Sequence, residues 1–357
     1  MLLENLFEGI FKNKKVFVTG HTGFQGSWLS LWLKLLGSNV IGYALEPPTQ
    51  PSLFKTLSLE HDTKHIIGDL CDKEKLSSVI NQNKPEVVFH FGAQALVRKS
   101  YVEPLETLET NIIGTANLLE VIRNCSSVKV VVIMTSDKCY DNTYGERPHT
   151  ENDPMGGFDP YSASKGAAEL VTSSYRNSFF NSKNITRIAT VRAGNVIGGG
   201  DWADDRLIPD FIRAIKEGEV VKIRNPNAIR PWQHVLEPLS GYLKLAEQLF
   251  IYGMKYAEAW NFGPEECDTK SVEWIVNKMS KIWESEVCWV YDEGDHPHEA
   301  NYLKLDCSKA HNILLWRPKW SLDEALNKIV EWHRVELNGY NVRQITLNQI
   351  NEYMNCK

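Results

Sequence analysis

The sequence has few of the features that would place a protein outside a reducing compartment. It contains 7 cysteines in 357 residues, and no two of them are spaced as Cys-x-x-Cys. This small and odd number disfavours a disulfide framework and a thiolate metal site. The first residues lack the basic stretch and apolar run of a secretory signal, and no apolar run is long enough to span a bilayer. We therefore expect a cytoplasmic protein.

The sequence also lacks an excess of positive charge, internal repeats and low-complexity tracts. Its formal net charge of −6 argues against a general nucleic-acid binder. Hydrophobic residues make up 43% and charged residues 24%, which is typical of a globular protein. A chain of this length usually forms one large domain or two.

Short apolar segments alternate with helical segments in the first half of the chain. We predict strands over residues 14–19, 39–44, 65–68, 86–91, 128–134 and 186–191. We predict helices over residues 27–36, 106–124 and 161–180. This alternation predicts an α/β fold with a Rossmann-type, doubly wound parallel sheet, whose chemistry lies at the carboxyl ends of the strands.

The second half of the chain has a less regular pattern, which predicts a smaller mixed α/β region that covers a cleft. We predict helices over 205–216, 273–283, 322–335 and 342–354, and a strand over 220–224. We divide the chain into a first domain, residues 1–193, and a mainly substrate-binding domain, residues 194–357. A helix over 234–250 and a strand over 258–262 are expected to return to the first domain, so the boundary is not a single cut.

Three glycines follow the first predicted strand and precede the first predicted helix. Gly20 permits a tight turn, Gly23 lets the backbone approach a pyrophosphate, and Gly26 lets the helix pack closely on the strand. Their spacing is Gly-x-x-Gly-x-x-Gly, which differs from the Gly-x-Gly-x-x-Gly of many dehydrogenases. Between this strand and this helix, the glycines predict a bound dinucleotide.

The end of the second predicted strand lacks the carboxylate that usually binds the ribose of NAD. Tyr43 or Ala44 stands at that place, and Glu46 lies further along the chain. No arginine follows to bind a 2′-phosphate, so we expect NAD rather than NADP, bound with weakened affinity. Asp69 and Leu70, after the third predicted strand, are expected to contact the adenine; the alternative role of Asp69 is to cap a helix.

Five polar residues follow one predicted strand or begin a predicted helix, and they form a candidate catalytic set. Tyr161 and Lys165 are four residues apart at the start of a predicted helix, which places the phenol and the ammonium on one face. We expect the lysine to lower the pKa of the phenol toward neutrality, so that it can accept a proton from an alcohol. Ser136 can bind that alcohol, and Asp137 and Lys138 place an acid and a potential base beside it.

Several motifs together resemble the extended short-chain dehydrogenases/reductases that act on nucleotide sugars. They lie at residues 19–26, 90–94, 100–101, 111–115 and 161–165. Within this family, residues 135–138, 195, 206–210, 230–235 and 298–303 resemble the branch of 4,6-dehydratases that acts on CDP-glucose. The dTDP-glucose branch has Thr-Asp-Glu where this chain has Thr-Ser-Asp-Lys, so Lys138 departs from that pattern and fits the CDP branch.

The resemblance implies two sets of contacts. NAD is expected to contact Gly20, Thr22, Gly23, Phe24, Gln25, Gly26, Tyr43, Asp69, Leu70, Phe91, Ala93, Asn111, Tyr161 and Lys165. The CDP-glucose substrate is expected to contact Ser136, Asn195, Arg206, Leu207, Arg230 and Tyr302. Among these, the two arginines are the candidates for the diphosphate, because guanidinium pairs bidentately with phosphate.

The resemblance also implies dehydration by an internal redox cycle, as used in deoxysugar and O-antigen biosynthesis. Tyr161 takes the proton of the 4-hydroxyl, Ser136 orients that hydroxyl, and Lys165 holds the nicotinamide ribose. Asp137 protonates the departing 6-hydroxyl. Lys138 either removes the proton at C5, which requires a lowered pKa, or only positions a water or stabilises the enolate. The product is CDP-4-keto-6-deoxy-D-glucose.

Alternative interpretations stay open at this point. A 4-epimerase or a decarboxylase of the same family reuses Tyr161 and Lys165 but has no need of the Asp137–Lys138 pair. A non-enzymatic NAD-binding redox sensor is a further alternative. Metal binding by His61 and His65 is disfavoured because His65 begins a predicted strand and no third ligand is evident. The metal-like segment 296–299 is expected to form a loop near the substrate instead. The family implies a homodimer or homotetramer paired through the two long helices, 106–124 and 161–180.

Overall fold

The structure is a computed structural model and describes residues 6–142, 147–181, 185–284, 289–297 and 302–356. Its strands, in chain order, are β1 (Lys15–Thr19), β2 (Asn39–Ala44), β3 (Lys64–Ile67), β4 (Val87–His90), β5 (Val130–Met134), β6 (Arg187–Ala193), β7 (Val196–Ile197), β8 (Val221–Ile223), β9 (Ile229–Pro231), β10 (Gln233–His234), β11 (Ala259–Phe262), β12 (Thr269–Ser271) and β13 (Trp289–Tyr291).

The helices surround these strands. They are α1 (Phe24–Leu35), α2 (Leu53–Thr56), α3 (Lys73–Asn83), α4 (Val97–Val102), α5 (Pro104–Leu108), α6 (Gly114–Arg123), α7 (Pro160–Phe179), α8 (Leu207–Glu217), α9 (Leu236–Tyr252), α10 (Val272–Trp283), α11 (Leu322–Leu337) and α12 (Val342–Asn355).

A seven-stranded sheet has the order β11-β6-β5-β4-β1-β2-β3, and every neighbouring pair is parallel. The order reverses between β1 and β4, and a crevice at such a switch point is where open α/β sheets bind ligands. The predicted Rossmann-type, doubly wound sheet is confirmed. Strand β11 completes one edge, although it comes from the second half of the chain; the division into two domains stays a prediction.

Helices cover both faces of the sheet because its central strands are apolar on both sides. On one face, α1 and α9 pack over a core that includes the fully buried Trp28, Trp32 and Trp260. On the other face, α3 and α6 pack over Phe17, Val88 and Val131. A third core joins α8, α10 and α11 beyond the sheet. Each fully buried Val, Leu or Ile contributes about 1.5–3 kcal/mol to such cores.

The long helix predicted over 106–124 is interrupted by a wide π-turn, Glu109–Ile113, between α5 and α6. Two contacts explain this wider turn. The Asn111 amide accepts from the Gln94 backbone N–H and donates to Ser164 Oγ, and a Cβ on Gly114 would lie 2.8 Å from the Leu70 side chain. Periodicity alone does not reveal such a turn, which is common at functional sites.

A buried ion pair lies directly beneath the carboxyl end of the sheet. Glu169 of α7 accepts from the Arg192 guanidinium of β6 at 2.8 and 2.9 Å, and both side chains are 5% exposed. The carboxylate also accepts from the hydroxyls of Thr135 and Thr190 at 2.6 and 2.8 Å. Arg192 donates further to Tyr140 Oη and to the Glu151 carbonyl. These bonds fix α7 against β5 and β6.

The Glu169→Gln variant is expected to unfold more easily than the wild type. Removal of one partner leaves the Arg192 charge buried without compensation, which costs roughly 3–5 kcal/mol. Urea unfolding at pH 7 measures this loss. Hydrogen bonds and the Arg192 charge hold the pKa of Glu169 below its ordinary value despite burial. Its stabilisation is therefore complete at neutral pH and lost as the pH falls through the folded-state pKa, so the two proteins should converge in acid.

A matched control is Glu120→Gln, which breaks the pair with Arg123 on the outer surface of α6. Exposed pairs contribute about 0–1 kcal/mol, so this variant should unfold nearly as the wild type does. Equal losses in the two variants would contradict the structural role of the buried pair.

Candidate active site

A cavity of about 920 Å³ opens at the carboxyl end of the parallel sheet. One wall carries residues that follow the sheet strands, including Ser136, Asp137 and Lys138, together with Tyr161 at the start of α7. The opposite wall comes from the second half of the chain, including β8, β9 and β13. Of the predicted site residues, nine line this space: Gln25, Ser136, Asp137, Lys138, Tyr161, Asn195, Arg206, Leu207 and Arg230.

The glycine loop has the geometry that a dinucleotide needs. Gly20 has φ +70°, and a Cβ there would lie 2.7 Å from the Gly92 backbone nitrogen, so only glycine fits. A Cβ on Gly26 would collide with the Gly20 carbonyl, whereas Gly23 has room around it. Gly23 is the N-cap of α1 and offers no side-chain cap, which leaves the first N–H groups of the helix to an anion. These residues fit the pyrophosphate of NAD.

Three further residues between Gly20 and Gly26 differ in their surroundings. Gln25 lines the cavity, and its buried side-chain oxygen has no partner among the described residues. Thr22 is buried and donates its hydroxyl to the Leu45 carbonyl at 3.0 Å, which ties the glycine loop to the segment after β2. Phe24, the first residue of α1, is half-buried.

Of the three residues predicted to contact the adenosine half of NAD, only Asp69 is exposed. Tyr43 is fully buried, and its hydroxyl donates to the Asp69 carbonyl at 2.8 Å, so its side chain supports the following loop from below. Asp69 is exposed and accepts from the Cys71 N–H at 2.8 Å. Leu70 packs against Gly92 and Gly114. The carboxylate at this end is thus Asp69, after β3, rather than a residue of β2.

The segment after β4 is fixed by buried polar contacts. Phe91 is buried against the Tyr242 ring, and its backbone N–H donates to the Thr19 hydroxyl. Asn111 is 2% exposed, and its amide bonds to Gln94 and Ser164. Asn111 therefore positions this segment against α7. Ala93, which lies between Phe91 and Gln94 in the chain, is half-buried.

Ser136, Asp137 and Lys138 form a tight turn after β5. The Ser136 hydroxyl caps this turn by accepting from the Lys138 N–H at 3.2 Å, and it donates to Asp137 Oδ1 at 3.1 Å. Asp137 is 4% exposed, and its Oδ2 has no partner among the described residues. Burial raises the pKa of the Asp137 carboxyl, although the charge of Lys138 opposes this shift. The protonated form is thereby favoured.

Tyr161 and Lys165 lie one helical turn apart on α7, both less than one-tenth exposed. The Lys165 ammonium lies 5.9 Å from the centre of the Tyr161 ring and 3.5 Å from the Met134 carbonyl. The prediction that the lysine brings the phenol pKa toward neutrality is wrong for the chain by itself. Burial raises the pKa of Tyr161 to about 12, although contact with Ser136 opposes it. Burial also lowers the pKa of Lys165 to about 8.

The predicted substrate residues divide into two groups. Asn195, Arg206, Leu207 and Arg230 line the cavity. Arg206 precedes α8, whose N-terminus has no side-chain cap, and it bonds to Asp201 at 2.8 Å. In contrast, the Tyr302 backbone pairs with Ile229 and accepts from Asn142, and its side chain is not among those that line the cavity. Of the predicted motif at residues 298–303, residues 298–301 lie outside the described residues.

Asp201 and Asp205 also line the cavity, although the sequence did not identify them as site residues. Asp201 is buried and holds Arg206. Asp205 has φ +61° and bonds to both Arg98 and Arg224. Three aspartates in the six residues before Arg206 indicate that ion pairs form here. Only the folded structure shows which arginines they bind.

The histidines singled out as possible metal ligands do not form a cluster of three His, Cys, Asp or Glu residues within the described parts of the chain. His65 contacts His21 at 2.7 Å between ring nitrogens, whereas His61 lies in a separate turn. His296 lines the cavity and contacts Asp292 at 3.3 Å; His298 and Glu299 are outside the described residues. No helix among the described residues is both long and apolar enough to cross a membrane.

Comparison with known proteins places these features in a family context. The chain matches the family described as GDP-mannose 4,6 dehydratase over residues 17–329. A CDP-glucose 4,6-dehydratase of Salmonella typhimurium is 53% identical over 360 residues, which cover 100% of this chain and 99% of that relative.

Solved structures share the fold over most of its length. A UDP-glucose 4-epimerase of Thermotoga maritima with UDP-glucose superimposes with a TM-score of 0.78 at 25% identity, over 90% of this chain and 99% of that one. MoeE5 in complex with UDP-glucose and NAD gives a TM-score of 0.77 at 26% identity, with coverage of 90% and 99%.

The Lys165→Met variant is expected to gain stability while it loses activity. At neutral pH the wild type holds a buried ammonium that water would solvate better, so its removal should raise the free energy of unfolding by roughly 1–3 kcal/mol. The folded-state pKa of about 8 lies below the ordinary value, so the gain should be complete below pH 8 and shrink as the pH rises toward about 10.4.

Urea unfolding at pH 7 and at pH 10 measures this difference. The exposed Lys73 of α3 provides the control, since Lys73→Met should leave the unfolding midpoint nearly unchanged. A Lys165→Met protein that is less stable than the wild type at pH 7 would show that the surroundings stabilise the ammonium. That result would contradict the expectation that its burial is destabilising.

Proposed function

Because the chain belongs to the GDP-mannose 4,6 dehydratase family of extended short-chain dehydrogenases/reductases, we propose that it is an NAD-dependent hydro-lyase that dehydrates CDP-D-glucose. The product is CDP-4-keto-6-deoxy-D-glucose, an activated deoxysugar precursor, and the second product is water. The observation that carries this proposal is the 53% identity to a CDP-glucose 4,6-dehydratase over the whole chain.

The glycine loop, the uncapped start of α1 and Gln25 hold NAD in this proposal. NAD, when bound, would supply a reversible acceptor for the hydride at C4 and would bring positive charge into the cavity. That charge matters because the phenol pKa of about 12 in the chain alone keeps Tyr161 protonated at neutral pH. Nearby positive charge lowers a phenol pKa, so cofactor binding and tyrosine ionisation are coupled.

Tyr161 and Ser136 act on the 4-hydroxyl of the sugar. The Ser136 hydroxyl lies in polar contact with Tyr161, so one substrate oxygen can bond to both. Tyr161 takes the hydroxyl proton as the C4–H bond breaks, and the resulting 4-ketone makes the C5 proton acidic. The Lys165 ammonium lies over the Tyr161 ring, 5.9 Å from its centre, and adds positive charge when it is protonated.

Asp137 is the acid for loss of water. The 6-hydroxyl leaves as water only if it gains a proton while its C6–O bond breaks. Burial raises the pKa of the Asp137 carboxyl, which is the direction that a proton donor requires. The neighbouring Lys138 side chain also lines the cavity and either removes the C5 proton or stabilises the enolate by its charge.

Arg206, Arg230, Asn195 and Leu207 bind the diphosphate and the adjoining sugar in this proposal. Arg206 stands directly before α8, so its guanidinium and the first N–H groups of that helix can hold one phosphate together. Arg230 is 5% exposed, and its charge is among those that act on Asp137. For Tyr302, substrate binding stays a prediction, since its side chain is not among those that line the cavity.

A 4-epimerase is the alternative that the structural likeness to the Thermotoga maritima enzyme supports. Epimerisation returns the hydride to C4 and eliminates no water. The acid–base pair Asp137–Lys138 beside Ser136 serves elimination and has no task in epimerisation, so dehydration is the better proposal.

We also propose that two copies of the chain associate through α4–α6 and α7. The outer faces of these helices expose Val102, Leu105, Ile113 and Leu170 by 52–80%, and apolar patches of this kind mark association surfaces. A homodimer buries them, and a homotetramer is a pair of such dimers. The reaction takes place in the cytoplasm, where the six described cysteines stay free thiols, as they are in the structure.

CDP-glucose carrying deuterium at C4 is expected to give a 4-keto-6-deoxy product with deuterium at C6 of the same molecule. Mass spectrometry of the product, with an equal amount of unlabelled substrate present, measures the transfer and its intramolecular character. A product that keeps its oxygen at C6 would indicate epimerisation instead. Tyr161→Phe, which removes only the proton acceptor, should abolish label transfer.

The role of Lys138 can be tested by exchange of the C5 proton. If Lys138 is the base, Lys138→Met should retain oxidation at C4 but lose incorporation of solvent deuterium at C5 by about 100-fold or more, the usual contribution of a general base. NMR of the sugar in deuterium oxide measures this exchange. Unchanged exchange would assign the base to another group and leave Lys138 an electrostatic role.

A further inference from the structure

Among the described residues, the arginines that line the cavity are Arg98, Arg206, Arg224 and Arg230. Arg230 acts on Asp137 and Arg206 on Tyr161 through their charges, so both lie near the reacting end of the cavity. Arg224 directly follows β8, which pairs with β13 in a sheet separate from the seven-stranded one. It therefore belongs to the wall contributed by the second half of the chain. A nucleotide sugar is elongated, so its base lies away from the sugar carbons that react.

Two aromatic residues line the same cavity as Arg224. Trp289 and Tyr291 of β13 both line the cavity, and β13 is in register with β8 such that Tyr291 lies opposite Ile223. Tyr291 exposes 57% of its surface, while Trp289 donates its ring N–H to Asn277. An aromatic ring is a stacking surface for any nucleobase and does not by itself distinguish one base from another. Selection among bases needs a polar group at their edge.

Arg224 is held in place by Asp205. One guanidinium nitrogen donates to Asp205 Oδ1 at 2.8 Å and the other to the Asp205 carbonyl at 3.3 Å. The same carboxylate contacts Arg98 at 3.2 Å, so it lies between two cations. Asp205 has φ +61°, a left-handed conformation that Asp and Asn adopt more readily than other side chains. The backbone turn thus directs both its carbonyl and its carboxylate at Arg224.

We propose that Arg224, positioned by Asp205, makes the site select cytosine over uracil and thymine; this rests on the proposed function at the same cavity. Cytosine presents two adjacent acceptors, N3 and O2, on one edge. A guanidinium carries parallel N–H donors that match such a pair. Uracil and thymine carry a hydrogen on N3, so one donor would face another donor and both would lose their partners. Buried polar groups without partners penalise the wrong ligand.

Competition between nucleotide sugars tests this selection. The ratio of kcat/KM for CDP-glucose to that for UDP-glucose is measured for the wild type, Arg224→Lys and Arg224→Met. The loss of one bidentate contact should lower kcat/KM for CDP-glucose by about 5- to 150-fold, while UDP-glucose, which lacks the matching edge, changes little. Lysine keeps the charge but not the parallel donors. The ratio of kcat/KM for CDP-glucose to that for UDP-glucose should therefore fall in Arg224→Lys as it does in Arg224→Met.

Asp205→Asn is the test of positioning. Asparagine tolerates the same backbone conformation, so the fold is kept while the charge that holds Arg224 is lost. The expected result is a raised KM for CDP-glucose with kcat nearly unchanged. The ratio of kcat/KM for CDP-glucose to that for UDP-glucose should lie between the values of the wild type and of Arg224→Lys. Lys222→Met is the control, since Lys222 also lines the cavity from β8 and its charge should affect all nucleotides alike.

Binding of CMP and UMP, measured by calorimetry, separates this inference from the proposed reaction. A chain that prefers CMP in an Arg224-dependent manner but does not dehydrate CDP-glucose would retain the inference and refute the proposed function. Dehydration of CDP-glucose with the same nucleotide ratio in Arg224→Lys as in the wild type would refute the inference alone. Equal losses for CDP- and UDP-glucose would likewise overturn it, because they would assign Arg224 to the diphosphate.

Discussion

The buried bond between Glu169 and Arg192 is the constraint on which the rest of the site depends. Glu169 lies on the same helix as Tyr161 and Lys165, and it accepts from Thr135, the residue before Ser136. A displaced carboxylate would therefore shift both halves of the catalytic set relative to each other. Two charges are expensive to bury, and four hydrogen bonds to the carboxylate offset that cost here.

Burial acts on the central groups of the cavity in one direction. It raises the pKa of Asp137 and of Tyr161 and lowers that of Lys165, so each shift favours the uncharged form. For Asp137 this provides a proton for elimination. For Tyr161 it opposes the proposed role as a base, whereas a nearby positive charge would lower the phenol pKa.

The fold followed from the sequence because its signals are local. Apolar runs ending in glycine or polar residues located the strands of the sheet, and Gly20 and Gly26 are required by contacts that the structure shows. The phenol pKa of Tyr161 was predicted wrongly, since spacing reveals a neighbouring lysine but not the loss of solvent around both groups. The link between Arg98, Asp205 and Arg224 was missed because residues far apart in the chain meet only after the cavity walls assemble.

Strand β11 has a consequence for the way the protein is made. It pairs with β6 at the edge of the sheet, yet the ribosome synthesises it only after the whole segment that contributes β7 to β10. During that interval the β6 edge exposes unpaired backbone groups, and such edges recruit other chains. The sheet can therefore be completed at this edge only after the chain has been synthesised as far as Phe262.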